Sequence, residues 1–544
     1  MMISMPSPCA GARRPFSAVP NTVRRYLPAL VTLLIAADPD GGAQTRSPVL
    51  KDPSAERSPF YLKVDRSTEI LFDAFMLVKK ANTGDPVAEH ELGLRYLQGT
   101  DFTPDTARAA LWIARSAARD YLPAIYNLGI LKNNGWGTEW DPFGAFRNFQ
   151  RAAAQGMQEG MYMTGLFFTD NLVVRKNYGE AHRWIGAAAD SGNRYAREVL
   201  SYFEKSGIMA QIHSRPGDPP NKDSSSGRPP SPGLSRSYWR PVFLDPGTDT
   251  LADPDDSTLA REALHFADDD IGEDAGGADD AAETVDPVAA FADSTDILRI
   301  VGAAGAGSPE ALTFLGRRCD RGAGVPRDRV EAAFYYIRAI RSESRWSPVL
   351  LWRLASDPSL YDQLALRTGR GDPKAAYVWA GLIARGFDRR LTEGQALEHL
   401  RSAARGGVTD AMVELAAWYD AGYVVTPDTG TADSLMTAAA NLGSREARVR
   451  LLMKTLRAGE DVPVDPAVTD TLIAMRKEGS VLAQVMLGYC YERGRGLPAS
   501  IPRAVAFYRK AAQRGSRMAY DALMILHDGR RPPGPEFSVE DAGE

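Results

Sequence analysis

Ala88, Ala124 and Ala196, and later Ala375, Ala411, Ala447, Ala483 and Ala519, recur at multiples of 36 residues, with Gly160 filling the missing step of the first series. Ala109, Ala145 and Ala181 keep the same step in a second column, as do Ala396, Ala432 and Ala504 with Val468 between them. Glycines close the units at Gly156, Gly192, Gly407, Gly443, Gly479 and Gly515. A fixed step held by several columns marks a stack of supersecondary units and excludes a single globular core.

Two units show how the residues build the repeat. Across 85–120, Ala88, Leu92, Gly93 and Tyr96 fall at helical spacing, a loop runs through Gly99 and Pro104, and Ala109, Trp112, Ile113, Ala117 and Ala118 share a second helical face. Across 481–515 the series returns as Ala483, Leu487, Gly488 and Tyr491, then Gly494, Gly496 and Pro498, then Ala504, Tyr508, Ala511 and Ala512. The small residues let two antiparallel helices approach closely, and the leucines and aromatics fill the gap. One hairpin cannot bury its own apolar stripe, so neighbours must stack on it. The expected fold is all-α: a right-handed α-solenoid of antiparallel helix pairs in two arrays, joined by a disordered acidic linker.

Taken together, these residues resemble the Sel-one-like repeats, relatives of the tetratricopeptide repeats. The resemblance implies a non-enzymatic scaffold or adaptor that binds a protein or peptide on its concave face, without a cofactor, and often at membranes or in secretory pathways. Some secreted relatives pair two cysteines in every repeat and are linked to β-lactam binding or hydrolysis. This chain has only Cys9, Cys319 and Cys490 and lacks those pairs. An envelope hydrolase acting on cell-wall peptides or β-lactams is the alternative reading, and a regulatory sensor gated by the acidic linker is another.

Residues 1–43 read as a signal peptide. Arg13, Arg14, Arg24 and Arg25 precede an apolar run from Tyr26 to Ala37, and Gly41, Gly42 and Ala43 supply small residues for cleavage. The run is shorter than the roughly 20 residues that span a bilayer. Export to the periplasm is expected, with an uncleaved membrane anchor as the alternative.

A flexible stretch covers 44–59, the first array 60–207, a Pro/Ser-rich and then acidic linker 208–295, the second array 296–530, and a disordered tail 531–544. From Asp245 to Asp296 there are 17 acidic residues against the lone Arg261, so a net charge of −5 divides into −16 there and +11 elsewhere. Ala311 and Ala375 lie 64 residues apart, 28 more than one step, which predicts an insertion or a long second helix over 341–370. The unit at 444–479 lacks the paired alanines, leaving its second helix in question.

Few residues suggest chemistry. The six histidines show no metal-ligand spacing, and the acidic segment has no calcium-loop pattern. The glycine pairs between helices read as turns. Basic residues are scattered, so no nucleic acid is expected, nor a small-molecule substrate, a metal or a cofactor. The candidate partner contacts are Asn133, Asn134, Trp136 and Trp140 in a loop rich in polar and aromatic groups, with Trp239 and Phe243 in an apolar island of the linker. Protein or peptide partners, including envelope complexes, are the expected clients.

Overall fold

The computed structural model describes residues 66–205, 208–209, 259, 262–264, 294–388, 390–457 and 464–539. Among these, regular structure is helical throughout. The first array opens with a single helix, α1 (Arg66–Asn82). Three pairs follow: α2 (Pro86–Gln98) with α3 (Thr106–Ala118), α4 (Leu122–Asn134) with α5 (Pro142–Ala154), and α6 (Gln158–Phe167) with α7 (Tyr178–Asp190). α8 (Arg194–Lys205) closes it.

The second array begins with α9 (Ser294–Ala306) and continues as α10 (Pro309–Arg321) with α11 (Arg329–Arg341), α12 (Ser347–Ala355) with α13 (Pro358–Gly369), and α14 (Pro373–Ala384) with α15 (Glu393–Arg405). Then come α16 (Thr409–Ala421) with α17 (Thr429–Asn441), α18 (Arg445–Arg457) with α19 (Pro466–Lys477), and α20 (Val481–Arg493) with α21 (Ile501–Gln513). α22 (Arg517–Asp528) ends the stack.

The alanine columns mark where helices touch. Ala124, Ala196, Ala375, Ala411, Ala447, Ala483 and Ala519 are completely buried, and so are Ala109, Ala145, Ala181, Ala396 and Ala504 in the second column. Gly160 interrupts the first column because a Cβ there would lie 2.8 Å from the backbone nitrogen of Ala153. Gly488 has the same kind of cause, since its Cβ would meet the Tyr508 ring at 2.6 Å. Asp105, Asp141, Asn177, Asp328, Asp428 and Ser500 cap the second helices of their units, each side chain accepting a backbone N–H of the first turn. At the buried alanine positions Ala483→Leu should overpack the unit and cost about 1–3 kcal/mol. A urea titration would register this as a lower midpoint with an unchanged slope.

Of the two forms expected for 341–370 the structure shows the insertion, since α11 keeps the thirteen residues of its counterparts. The extra 28 residues are a shortened helix pair, α12 and α13, that keeps the stack continuous. The unit at 444–479 does have its second helix, α19, started by Pro466 and capped by Asp465. Inside the segment read as a disordered linker, Leu259, Glu262, Ala263 and Leu264 are helical, and Leu259 and Ala263 pack on Ile300, Ala303 and Leu312 at the start of the second array. Glu262 also pairs with Arg345.

The tail read as disordered from 531 is likewise folded as far as described. Phe537 is buried against Phe143 and Phe146, because an apolar ring in the short turn Pro535–Phe537 after α22 packs on the first array. The signal-peptide segment, 44–59 and most of 208–295 lie outside the described residues.

Candidate interaction site

The two arrays touch through the loop between α4 and α5. α4 ends at Gly135, whose φ of +66° lets the chain turn back. A Cβ at Gly135 would reach Pro502 of α21 at 2.5 Å, so the close approach of the arrays itself requires glycine. Trp140 is 2% exposed and donates from Nε1 to the Asn133 carbonyl at 3.1 Å. Its ring meets His527 of α22 edge-on at 4.9 Å. Arg509 of α21 donates to the Asn133 carbonyl, to Asn133 Oδ1 and to Asn134 Oδ1 at 3.1, 2.9 and 3.4 Å. Arg531 donates to the carbonyls of Leu172 and Val173, and Arg147 pairs with Glu536 at 3.0 Å.

Thus three of the four loop residues expected to meet a partner, Asn133, Asn134 and Trp140, are engaged by the chain's own second array. Trp136 is half-buried on the first array's core. Trp239 and Phe243 lie outside the described residues.

A second concentration of polar groups sits where the second array curves back on itself. Arg514 pairs with Glu310 at 3.0 Å, Glu343 Oε2 accepts the Arg517 backbone N–H at 2.6 Å, and Arg445 donates to the Gly302 carbonyl at 2.9 Å. Contacts between units so far apart in sequence lie on the inner side of the curve. There Arg341 of α11 reaches Asp410 of α16, Glu446 of α18 at 2.6 Å and the Tyr377 hydroxyl of α14 at 2.7 Å. Arg338 holds Asp410 at 2.8 Å and Arg450 holds Glu446 at 3.0 Å. The concave groove expected along this array is therefore filled at this level by its own side chains.

The charges in this cluster are unequal. Glu446 is held down at about 2 against the cost of its burial, by the guanidiniums of Arg341 and Arg450. Glu414 is 2% exposed with Arg341 only at 3.6 Å, and burial pushes its carboxyl up to about 7 despite Arg341 and Arg385. A carboxyl raised in the folded state holds a proton that the unfolded chain has released. Its contribution is complete below the unfolded value near 4.3 and is lost as pH rises through about 7. Glu414→Gln should therefore gain on the wild type by on the order of 1–3 kcal/mol between pH 5 and pH 8. Chemical unfolding of both proteins at the two pH values checks this, and a difference that does not change with pH would contradict it.

Other reactive groups are quiet. Burial pushes the thiols of Cys319 and Cys490 up to about 11, where they are protonated at neutral pH. His90 is pushed down to about 4 by burial and lies 2.8 Å from Asn127 Nδ2. Among the described residues no group of histidine, cysteine and carboxylate side chains is arranged to hold a metal. The loop glycines Gly135, Gly322 and Gly494 are left-handed helix ends, as the turn reading expects.

Sequence reasoning passed over Arg341, Glu414, Arg509, His527 and Phe537. Asp410 and Glu446 stand one step of 36 apart at the second position of their helices, so an acidic column was legible there. The partners that neutralise it belong to no column.

Residues 86–121, 122–157, 158–193, 309–344, 409–444 and 481–516 match the Sel1 repeat. Each match covers one helix pair, while the pairs at 345–372, 373–408 and 445–480 fall between matches. Among solved structures the chain is similar to a protective antigen present in uropathogenic Escherichia coli strains, displaying an SLR fold. The identity is 22%, over 84% of this chain and 83% of that one, with a TM-score of 0.29. It is also similar to a Sel1 repeat protein from Oxalobacter formigenes, at 20% identity over 87% and 99% of the two chains, with a TM-score of 0.24. No curated protein matches the chain.

Proposed function

We propose that this chain, a protein carrying six Sel1 repeats, is a non-enzymatic scaffold that binds a protein or peptide in the bacterial cell envelope. Sel1 repeats in general mediate contacts between proteins, which supports the class of function. The observation that carries the reading lies on the first described helices of the first array. On α1, Phe72 and Phe75 are 61% and 63% exposed, and Leu111 on α3, one step of 36 after Phe75, is 53% exposed. Large exposed apolar side chains grouped together are the usual mark of a contact surface.

The second array's inner side is partly filled by the Arg341 cluster, which favours the first array as the place of binding. The envelope setting rests on the arginines and the apolar run of residues 13–37. No helix among the described residues is long and apolar enough to cross a membrane.

The test uses the immobilised full chain and a Phe72→Asp/Phe75→Asp variant with an envelope extract. The wild type should retain a client that the variant loses. Equal retention would remove this surface from the reading, and turnover of cell-wall peptides or β-lactams by the purified chain would overturn the scaffold itself.

A further inference from the structure

Between the arrays lies a cavity of about 60 Å³ that neither the repeat nor the scaffold reading uses. It exists because α6 has ten residues where the other first-array pairs use helices of thirteen, so the chain leaves the helix early and crosses to Asn177 as a loop. Met163, Leu166, Leu172 and Val173 wall it from the first array, and Tyr520 and Leu523 from the second. Met163, Leu166 and Leu523 are each no more than 3% exposed.

One wall departs from this apolar lining. The Arg509 guanidinium borders the cavity, and the acceptors it reaches are the neutral oxygens of Asn133 and Asn134. Among the described ion pairs, no carboxylate lies within salt-bridge distance of it. Burial pulls its pKa down to about 10, opposed by Asp170. Asp170 shares the lining and offsets part of the charge, with its Oδ1 accepting the Leu172 backbone N–H at 2.9 Å. His527 completes the lining as a neutral ring, with Nδ1 at 2.6 Å from the Leu523 carbonyl. A buried cation whose direct acceptors are neutral, with Asp170 beyond salt-bridge distance, is only partly compensated, and an anion in direct contact with it would be bound strongly for its size.

We propose that this cavity is a binding site for a short aliphatic monocarboxylate, its carboxylate against Arg509 and its tail among Met163, Leu166 and Leu523. A cavity needs about 10–15 Å³ of this measure for one water, so this one matches a carboxylate with a tail of about three carbons and excludes a nucleotide or larger cofactor. Both arrays supply walls, so the occupant binds only the docked form and ties the arrays together by linkage. The inference does not depend on the scaffold function.

The probes are butanoate and its neutral analogue butanamide, titrated into the full chain by calorimetry and followed by thermal unfolding. Butanoate should bind saturably at one site per chain, at least about tenfold tighter than butanamide, and raise the unfolding temperature; that tenfold ratio is what a charge-assisted pair adds over a neutral one. Leu523→Phe, which fills the cavity from α22, should weaken butanoate at least about tenfold while keeping the helical circular dichroism of the wild type. The absence of saturable binding to the wild type, equal binding of acid and amide, or undiminished binding by folded Leu523→Phe would each overturn the proposal. If that variant does not fold, the comparison of acid with amide on the wild type still decides.

Discussion

Replacing Arg341 by methionine should destabilise the protein by about 3–5 kcal/mol, the usual cost of removing one partner from a buried ion cluster. The side chain is 5% exposed and is shared by Asp410, Glu414 and Glu446, which come from helices 69 to 105 residues away. Arg338 still holds Asp410 and Arg450 still holds Glu446 after the change, but Glu414 loses its 3.6 Å contact with Arg341 and is left with the charges of Arg385 and Arg450.

The loss should be non-additive. Arg341→Met combined with Glu414→Gln should recover part of it, because the neutral amide no longer needs a cation. Denaturant unfolding of the four proteins of this cycle measures the coupling. A loss below about 1 kcal/mol for the single variant would mean that the cluster is solvated like a surface pair.

Replacing Trp140 by alanine should remove about 3–5 kcal/mol from the contact between the arrays, as for other buried aromatics truncated to alanine. The ring is 2% exposed, stacks edge-on against His527 and lies under the Arg530 guanidinium at 5.4 Å. Small-angle scattering should show a larger radius of gyration for Trp140→Ala, while Trp140→Phe should preserve most of the compact form.

Acid attacks the same contact. Burial holds the His527 ring down at about 3, with Arg509, Arg530 and Arg531 nearby also disfavouring its charge. A histidine depressed in the folded state contributes stability that is complete above the unfolded value near 6.5 and is lost as pH falls toward about 3. Opening of the arrays in mild acid should therefore precede the loss of helix.

The repeat was legible in sequence because each unit contacts its neighbours through the same positions, so packing writes a period into the chain. Gly93, Gly129, Gly316 and Gly488 repeat because Ile113, Phe149, Tyr336 and Tyr508 press on the same spot in unit after unit. The closure of the second array and the contact between arrays left no period. Arg514 meets Glu310 across 204 residues, and Arg509 meets Asn133 across 376, each contact formed once. A single contact has no register to betray it.

The loop from Asn133 to Trp140 did announce itself, since polar and aromatic residues gathered there for contact. Composition alone could not say that the surface they meet belongs to the same chain. Phe537 was hidden for another reason: prolines at 532, 533 and 535 resemble a loose end, although one aromatic side chain suffices to anchor it.

A single two-array body is tested most directly by cutting the connection and leaving the contact. A protease site placed at Ser224 to Ser226 in the full chain, cleaved under native conditions, separates the halves covalently while every contact from Asn133 to Arg509 stays intact. Size exclusion with light scattering should then find both fragments eluting together at the mass of the uncut chain, 59.2 kDa. Elution as two smaller species would contradict the docking of the arrays, and with it the cavity between them.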